Sequence, residues 1–248
     1  MLQKKISNWI KSYAEENNRK SLVVGISGGI DSSVVSTLCA MTKMPTIAVS
    51  MPINQIESQH DLSMDHGNWL ENKFKNVTHE VIDLDGVYEK FWLKTFNDYG
   101  DEHAFANTKS RLRMVTLHQI SGAKKGIVVG TGNKVEDFGV GFYTKYGDGG
   151  VDISPIADLM KSEVWQLGKD LGIMQEIIDA PPTDGLWEDG RTDQDQLGGL
   201  TYDQMERAMD LDEKGAIAVG SDIELLDKYR SIRKPNLHKI EPIPVFKK

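Results

Sequence analysis

Four short apolar blocks, separated by longer amphipathic stretches, constrain the fold of this chain more than any other feature of its sequence. Each block is rich in consecutive branched apolar residues, as is typical of strands buried on both faces of a parallel sheet. The stretches between them place apolar residues at helical spacings, as in Val34, Leu38 and Met41. This alternation predicts an α/β fold with an open, mainly parallel sheet and helices on both faces. The predicted strands cover residues 21–26, 46–51, 79–84 and 126–131.

Length, charge and cysteine content narrow the class of protein. A chain of 248 residues can bury a large core, and we expect one domain over residues 1–248. Its 29 basic and 37 acidic residues give a net charge of −8, which disfavours nucleic acid as a partner. No apolar run approaches the roughly 18 residues of a membrane span, so no membrane association is expected. Cys39 is the only cysteine, which excludes an internal disulfide and fits a reducing, cytoplasmic location.

The stretch SLVVGISGGIDSSVV, residues 21–35, joins the first predicted strand to a helix through a glycine-rich loop. Such a junction presents free backbone N–H groups and the positive end of the helix dipole to an anion. Gly28 and Gly29 allow the backbone to approach a phosphate closely, and Ser27 and Ser32 supply hydroxyl donors. The loop is therefore predicted to bind phosphate.

Asp31 lies inside this loop, where it would repel a bare phosphate. Its presence predicts a Mg²⁺ ion between the carboxylate and the phosphate, because Mg²⁺ prefers oxygen ligands. The sequence has neither a Gly-Lys-Ser or Gly-Lys-Thr loop nor the three-glycine dinucleotide motif. Hydride transfer and the common lysine-containing phosphate loop are both disfavoured.

The segment SGGIDS resembles the pyrophosphate loop of the ATP pyrophosphatase superfamily, whose members cleave ATP between the α and β phosphates to adenylate a substrate oxygen. Further segments resemble, in the same order, the conserved blocks of the ammonia-dependent NAD synthetase family. FYTKYGDGGVD is especially specific. These segments are NTKSRLRM (107–114), GTGNKVE (130–136), FYTKYGDGGVDISPIADLMKSEV (142–164), PPTDGLW (181–187) and HKIEP (238–242).

The resemblance implies a ligase that forms a carbon–nitrogen bond. Such an enzyme uses ATP and ammonia to amidate deamido-NAD to NAD, through an acyl-adenylate intermediate, and releases AMP and pyrophosphate. It implies Mg²⁺ as the cofactor and a homodimer as the assembly. Two other classes stay open at this point: an ATP-sensing module without chemistry, and a relative that amidates a different nucleotide acid or modifies tRNA.

The same resemblance implies a set of site residues. Catalysis is assigned to Asp31, Lys161 and Asp148, and the metal to Asp31 and Glu136. Deamido-NAD contacts are assigned to Arg111, Lys145, Asp152, His238 and Lys239. ATP contacts are assigned to Gly25, Ile26, Ser27, Gly28, Gly29, Ile30, Asp31, Ser32, Thr131, Lys161 and Thr183.

Helical geometry separates two arginines of the segment after residue 107. Asn107, Arg111 and His118 share one helix face, whereas Arg113 lies about 200° from Arg111. Only one arginine can therefore face a site, and Arg111 agrees with the resemblance. The alternative is that both are solvated surface charges.

Charge placement singles out two further regions. With Asp158 as the N-cap, Lys161 would occupy the third helical position, where a cation opposes the helix dipole, which suggests a functional use. The segment 228–248 carries seven basic residues and one acid in an acidic chain. A solvated basic terminus and a ligand-binding segment both account for it.

Cys39 lies in the helix after the glycine-rich loop, where it is expected to be a packing residue.

Overall fold

The computed structural model describes residues 1–215 and 217–248. Its centre is a four-stranded parallel sheet with strand order β3-β2-β1-β4. The strands are β1 (Ser21–Gly25), β2 (Thr46–Ser50), β3 (Val77–Val81) and β4 (Gly126–Val128).

Ten α-helices and one π-helix surround the sheet in the described part of the chain. The π-helix spans Lys134–Val140. The α-helices are α1 (Leu2–Glu16), α2 (Ile30–Met41), α3 (Glu57–Lys73), α4 (Asp85–Tyr99), α5 (Glu102–Ala123), α6 (Lys161–Leu171), α7 (Gln175–Asp179), α8 (Asp193–Gln196), α9 (Tyr202–Glu213) and α10 (Ser221–Ile240).

Strands β1, β2 and β4 bury both of their faces in separate apolar cores. In β1, Leu22 and Val24 pack into the core with α1, α2 and α6, whereas Val23 packs into the core with α4 and α5. This alternation follows from the strand period of two, and it explains the unbroken apolar block in the sequence. The predicted α/β class with helices on both faces is confirmed.

Two predicted strand boundaries are wrong. The third strand was predicted over residues 79–84, but it runs over Val77–Val81 at the edge of the sheet and is partly exposed. Beyond it, the backbone N–H of Ile82 still donates to the Ser50 carbonyl at 2.9 Å, and α4 begins at Asp85. The fourth strand ends at Val128 rather than 131, and in the described part of the chain the pairing beyond it is a single bridge between Val129 and Ile153.

A third apolar cluster joins the π-helix to α9 and α10. Tyr229 of α10 is almost fully buried there. Phe142 and Met160, near the two ends of the segment 141–160, pack against this cluster. Within the described residues, no helix combines the length and apolar character of a membrane span.

Candidate active site

The glycine-rich loop is folded around Ser32. The backbone N–H of Ser27 donates to the Ser32 hydroxyl at 3.1 Å, and that hydroxyl donates to the Gly29 carbonyl at 3.0 Å. Gly28 has a φ of +85°. A Cβ at this position would lie 2.8 Å from the Gln59 carbonyl oxygen and 2.8 Å from the Ser63 backbone nitrogen, both in α3. Only glycine therefore fits at position 28.

A buried chain of hydroxyl groups supports the loop from below. The Ser63 hydroxyl donates to the Ile26 carbonyl at 2.9 Å and lies 2.6 Å from the Ser50 hydroxyl. Ser50 in turn contacts His79 Nε2 at 2.8 Å. The three elements β2, β3 and α3 thus hold the start of the loop. These residues have no motif spacing, and the sequence analysis did not identify them.

Lys161, Asp31 and Glu136, hereafter the lysine–carboxylate triad, meet at the N-terminus of α2. The Lys161 side chain is only 2% exposed, and its Nζ lies 2.5 Å from Asp31 Oδ2 and 2.8 Å from Glu136 Oε1. Asn133 donates from Nδ2 to Asp31 and accepts from the Glu136 backbone N–H. Three distant segments, on α2, the π-helix and α6, are therefore brought to one point.

Lys161 and Glu136 stabilise each other's charge, whereas burial, together with the charge of Glu136, raises the pKa of Asp31 despite its contact with Lys161. Burial opposes the charge of Lys161, but Asp31 and Glu136 together raise the pKa of its ammonium group. Burial likewise opposes ionisation of Glu136, yet the nearby Lys161 brings the pKa of that carboxyl below its ordinary value. An ammonium group between two carboxylates with good hydrogen-bond geometry is the arrangement in which a buried charge is tolerated.

The predicted N-cap of α6 is wrong. Helix α6 begins at Lys161 after Met160, and Asp158 lies outside it as an exposed residue. Lys161 is the first helical residue rather than the third. The unfavourable position of a cation at a helix N-terminus is offset by the two carboxylates it contacts. At the other end, Gly172 terminates α6 in the left-handed conformation.

Tyr202 and Asp193 form a second layer behind the triad. The Tyr202 hydroxyl lies 2.6 Å from Glu136 Oε1 and 2.8 Å from Asp193 Oδ2. One hydroxyl has a single proton, so it can donate to only one of these carboxyl groups. Burial, followed by the charge of Glu136, raises the pKa of Asp193 to about 7, and a protonated Asp193 can donate to Tyr202 while Tyr202 donates to Glu136. The sequence analysis missed both residues.

Asp193→Asn is expected to flatten the pH dependence of stability. Between about pH 4 and pH 7 the unfolded Asp193 is ionised while the folded residue holds its proton, so rising pH favours unfolding. One titrating group can change the free energy of unfolding by at most about 1.4 kcal/mol per pH unit. Asparagine mimics the protonated acid, so the variant should lose less unfolding free energy than the wild type across this window. Urea unfolding at several pH values measures it, with the exposed Asp203→Asn as the control; identical slopes for Asp193→Asn and wild type would contradict the assignment.

Asp148 lies in the segment that follows the π-helix. Its Oδ1 accepts from the Ser110 hydroxyl at 2.7 Å and from the Thr144 backbone N–H at 3.0 Å. Asn107 Oδ1 accepts from the Thr144 hydroxyl at 2.6 Å. Helix α5 therefore anchors this segment.

A further carboxylate, Asp137, lies between Asp148 and the triad and was not identified from the sequence. Burial, together with the negative charges of Asp148, Glu136 and Asp31, raises the pKa of Asp137 well above its ordinary value. The region around Asp137 is thus rich in carboxylate oxygens. Such a lining favours cations over anions unless bound positive charge compensates it.

Four of the five residues predicted to contact deamido-NAD lie between α5, the segment 143–150 and the end of α10. Arg111 donates from Nε to the Lys145 carbonyl at 3.3 Å, and His118 Nε2 lies 2.7 Å from the Gly150 carbonyl. Lys145 Nζ donates to the His238 carbonyl at 2.9 Å. The predicted shared face of Asn107, Arg111 and His118 is confirmed, since all three contact this segment. In addition, Lys239 Nζ donates to the Tyr143 carbonyl at 2.8 Å.

Three other predicted site residues lie in separate places. Asp152 accepts from the Val128 backbone N–H at 2.7 Å, so one of its oxygens completes the edge of β4. Thr131 lies just beyond β4, near the start of the π-helix. Thr183 belongs to the segment 180–192, where its hydroxyl donates to the Arg191 carbonyl at 3.2 Å. None of the three contacts the triad through a hydrogen bond in the described residues.

Comparison with known proteins connects this geometry to a family. The family model described as NAD synthase matches residues 2–241. The chain belongs to the NAD synthase family. It is 35% identical to the NH(3)-dependent NAD(+) synthetase of Carboxydothermus hydrogenoformans, over 98% of this chain and 96% of that relative. It is 37% identical to the enzyme of the same name from Methanococcus aeolicus, over 84% of this chain and 81% of that relative.

Solved structures agree with the family assignment. The NMN synthetase of Francisella tularensis superposes with a TM-score of 0.86 at 31% sequence identity, covering 98% of this chain and 96% of that one. The NH3-dependent NAD synthetase of Campylobacter jejuni superposes with a TM-score of 0.79 at 22% identity, covering 99% and 97% of the two chains, which shows the shared fold.

Proposed function

We propose that this chain is an ammonia-dependent synthetase that amidates deamido-NAD to NAD and converts ATP to AMP and pyrophosphate. The observation that carries the proposal is the lysine–carboxylate triad beside a preformed phosphate-binding loop, in a chain of the NAD synthase family. An ATP-sensing module would have no evident use for a paired Asp31 and Glu136 aimed at one point.

The residues account for the adenylation step in physical terms. The nicotinate carboxylate attacks the α-phosphorus of ATP, and pyrophosphate leaves. Free backbone N–H groups at the N-terminus of α2 face the phosphates, and Lys161, which contacts Asp31 there, supplies a positive charge nearby. Ammonia then displaces AMP from the acyl adenylate. The protein mainly positions the reactants and neutralises charge.

Asp31 and Glu136 are proposed to hold a Mg²⁺ ion. Lys161 contacts Asp31 Oδ2 and Glu136 Oε1, which leaves Asp31 Oδ1 and Glu136 Oε2 to face the ion, and Mg²⁺ usually takes one or two carboxylates together with substrate phosphates. The oxygen donors present therefore fit the ion. When bound, it would neutralise the pyrophosphate leaving group.

The remaining contacts are proposals from the family resemblance. For ATP, they involve the backbone of Gly25, Ile26, Gly29 and Ile30 as well as Thr131 and Thr183. The deamido-NAD contacts are Arg111, Lys145, Asp152, His238 and Lys239, of which Lys145 and His238 already touch. Asp148 is proposed to attract and orient ammonium or ammonia.

A second candidate substrate is nicotinate mononucleotide. The relative with a TM-score of 0.86 is named an NMN synthetase, whereas the relatives from Carboxydothermus and Methanococcus are named NAD synthetases, at comparable identity. The two acids share the nicotinate, ribose and phosphate, and they differ only in the AMP half. The same adenylation chemistry serves both.

One assay tests the function and separates the two substrates. The purified chain is incubated with ATP, Mg²⁺, ¹⁵N-ammonium and either deamido-NAD or nicotinate mononucleotide, and the amide product is measured by mass spectrometry. We expect ¹⁵N incorporation and one pyrophosphate per amide, with a higher kcat/KM for deamido-NAD. A higher value for the mononucleotide selects the second candidate, and the absence of amidation of either acid rejects the proposal.

Ammonium, rather than glutamine, is the expected nitrogen source. Glutamine use requires an activated nucleophile, normally a cysteine beside a base. Cys39 is fully buried in α2, and burial raises the pKa of its thiol, so it is not a nucleophile. We therefore expect Cys39→Ser to keep turnover within about twofold of wild type, with at most a packing loss of about 1 kcal/mol. Loss of amidation in a folded Cys39→Ser protein, or equal use of glutamine by an ammonia-free preparation, would contradict this.

We also propose that the chain forms a homodimer. Helix α4 carries large apolar side chains that are exposed in the single chain, which supports an interface there. Sedimentation velocity at several concentrations tests the assembly. These side chains are Val87, Phe91, Leu93, Phe96 and Tyr99.

A further inference from the structure

Arg113 is held at the carboxyl edge of the sheet, on the side of α5 opposite to Arg111. Its Nε donates to the carbonyl of Met51 at 3.0 Å, and Met51 directly follows β2. The Met51 side chain also lies against Gly25, where the phosphate-binding loop begins. The guanidinium is therefore anchored beside this loop, where ligands of open α/β sheets bind.

Most hydrogen-bond donors of this guanidinium are unused. Among the described residues, Arg113 Nη2 is shielded from solvent and has no hydrogen-bond partner, and Nε has the one bond to Met51. Asp184 and Asp148 favour its charge from a distance, but no ion pair joins either of them to Arg113 in the described residues. Burial lowers the pKa of Arg113 to about 10, so it stays protonated at neutral pH. A shielded, charged donor without a partner is unfavourable and rare in folded proteins.

Other arginines of the chain differ in this respect. Arg207 pairs with Asp222 at 2.8 Å, Arg230 pairs with Asp212 at 2.7 Å, and Arg233 donates to backbone carbonyls of the π-helix. These are structural or surface contacts. Arg113 has instead a fixed Nε and free Nη groups, a geometry suited to bidentate binding of a carboxylate or phosphate.

We propose that Arg113 binds anionic oxygens of a reactant, either the carboxylate and phosphate of the nicotinate nucleotide or the α-phosphate of ATP. This inference rests on the proposed function, since both anions meet in the adenylation step. The anion contact is thus assigned to Arg113, which lies on the opposite side of α5 from Arg111. Binding of the anion also gives the unpaired Nη2 a partner.

Substitution of Arg113 by lysine and by glutamine tests the proposal. Nucleotide binding is measured by calorimetric titration of ATP–Mg²⁺ and of deamido-NAD separately, so the result does not depend on turnover. Removing one partner of a shielded charged contact typically weakens binding by about 100-fold. We expect Arg113→Gln to weaken one of the two ligands by this factor and Arg113→Lys to weaken the same ligand less. The affected ligand identifies the anion.

Arg207→Gln is the matched control, because it removes an arginine from a surface ion pair far from the loop. A purely structural role for Arg113 predicts a lower melting temperature with unchanged dissociation constants in the lysine variant, and that result overturns the proposal. Wild-type protein that binds both ligands but forms no amide rejects the proposed function instead. In that case the loss of binding in the Arg113 variants still supports the anion contact.

Discussion

Asp31→Asn is expected to reduce amidation by about 1000-fold or more while leaving a folded protein. Asparagine keeps the shape of the side chain and an oxygen that can accept from Lys161, but it removes the negative charge proposed to hold Mg²⁺. Lys161 keeps its ion pair with Glu136 in this variant, so the buried ammonium group is not left unpaired, and the free energy of unfolding should fall far less than the activity. Pyrophosphate release and thermal unfolding measure the two quantities on one preparation.

Asp158→Asn is the control for this variant, because Asp158 is an acid close in sequence to Lys161 whose side chain is 99% exposed. It should retain wild-type turnover. A second readout is the Mg²⁺ concentration that gives half-maximal pyrophosphate release, which should rise in Asp31→Asn. An active Asp31→Asn protein with an unchanged Mg²⁺ requirement, or a protein that does not fold, would refute the proposed role of Asp31.

The glycine-rich loop was predictable because its chemistry is local. The order strand, glycines, helix places the N–H groups at one end of the helix, and Ser27 and Ser32 contact each other within six residues. The α/β class was predictable for the same reason, since each buried strand reads as a continuous apolar block. The edge strand β3 is only partly buried and has three polar residues between its two valines, so it lacks such a block and its position was mispredicted.

The contacts around Lys161 could not be predicted from spacing. Lys161 and Asp31 are 130 residues apart, and their contact requires α2 and α6 to pack on the same face of the sheet. Tyr202 and Asp193 depend in addition on the third apolar cluster, which no periodicity in the sequence reveals. The resemblance to known synthetases identified Lys161 and Glu136, but their shared contact became visible only in three dimensions.

The two arginines of α5 show the limit of helical geometry. The spacing correctly separated Arg111 from Arg113, but it could not say which face lies against the sheet. Arg111 is exposed and contacts the Lys145 carbonyl, whereas Arg113 is directed to the end of β2. The two faces of α5 therefore contact different parts of the fold, the segment 143–150 and the end of β2.

Lys161→Met is expected to lower the free energy of unfolding by about 3–5 kcal/mol and to abolish turnover, because it leaves two carboxylates facing each other without a cation. The instability should depend on pH in a defined direction. Without Lys161, mutual repulsion and burial raise the folded-state pKa values of Asp31 and Glu136, so each carboxyl destabilises the fold above those values. Stability should recover as the pH falls and the carboxyl groups are protonated.

Neutralising the two carboxylates as well separates the structural from the catalytic role of this lysine. The triple variant Lys161→Met, Asp31→Asn, Glu136→Gln contains no uncompensated charge at this point, and apolar or neutral groups often replace a buried ion pair without loss of stability. We expect urea unfolding of the triple variant to be within about 1 kcal/mol of wild type. It should remain inactive, because both the proposed metal ligands and the phosphate-facing cation are gone. If the triple variant is no more stable than Lys161→Met, the instability arises from lost packing of the lysine side chain rather than from charge.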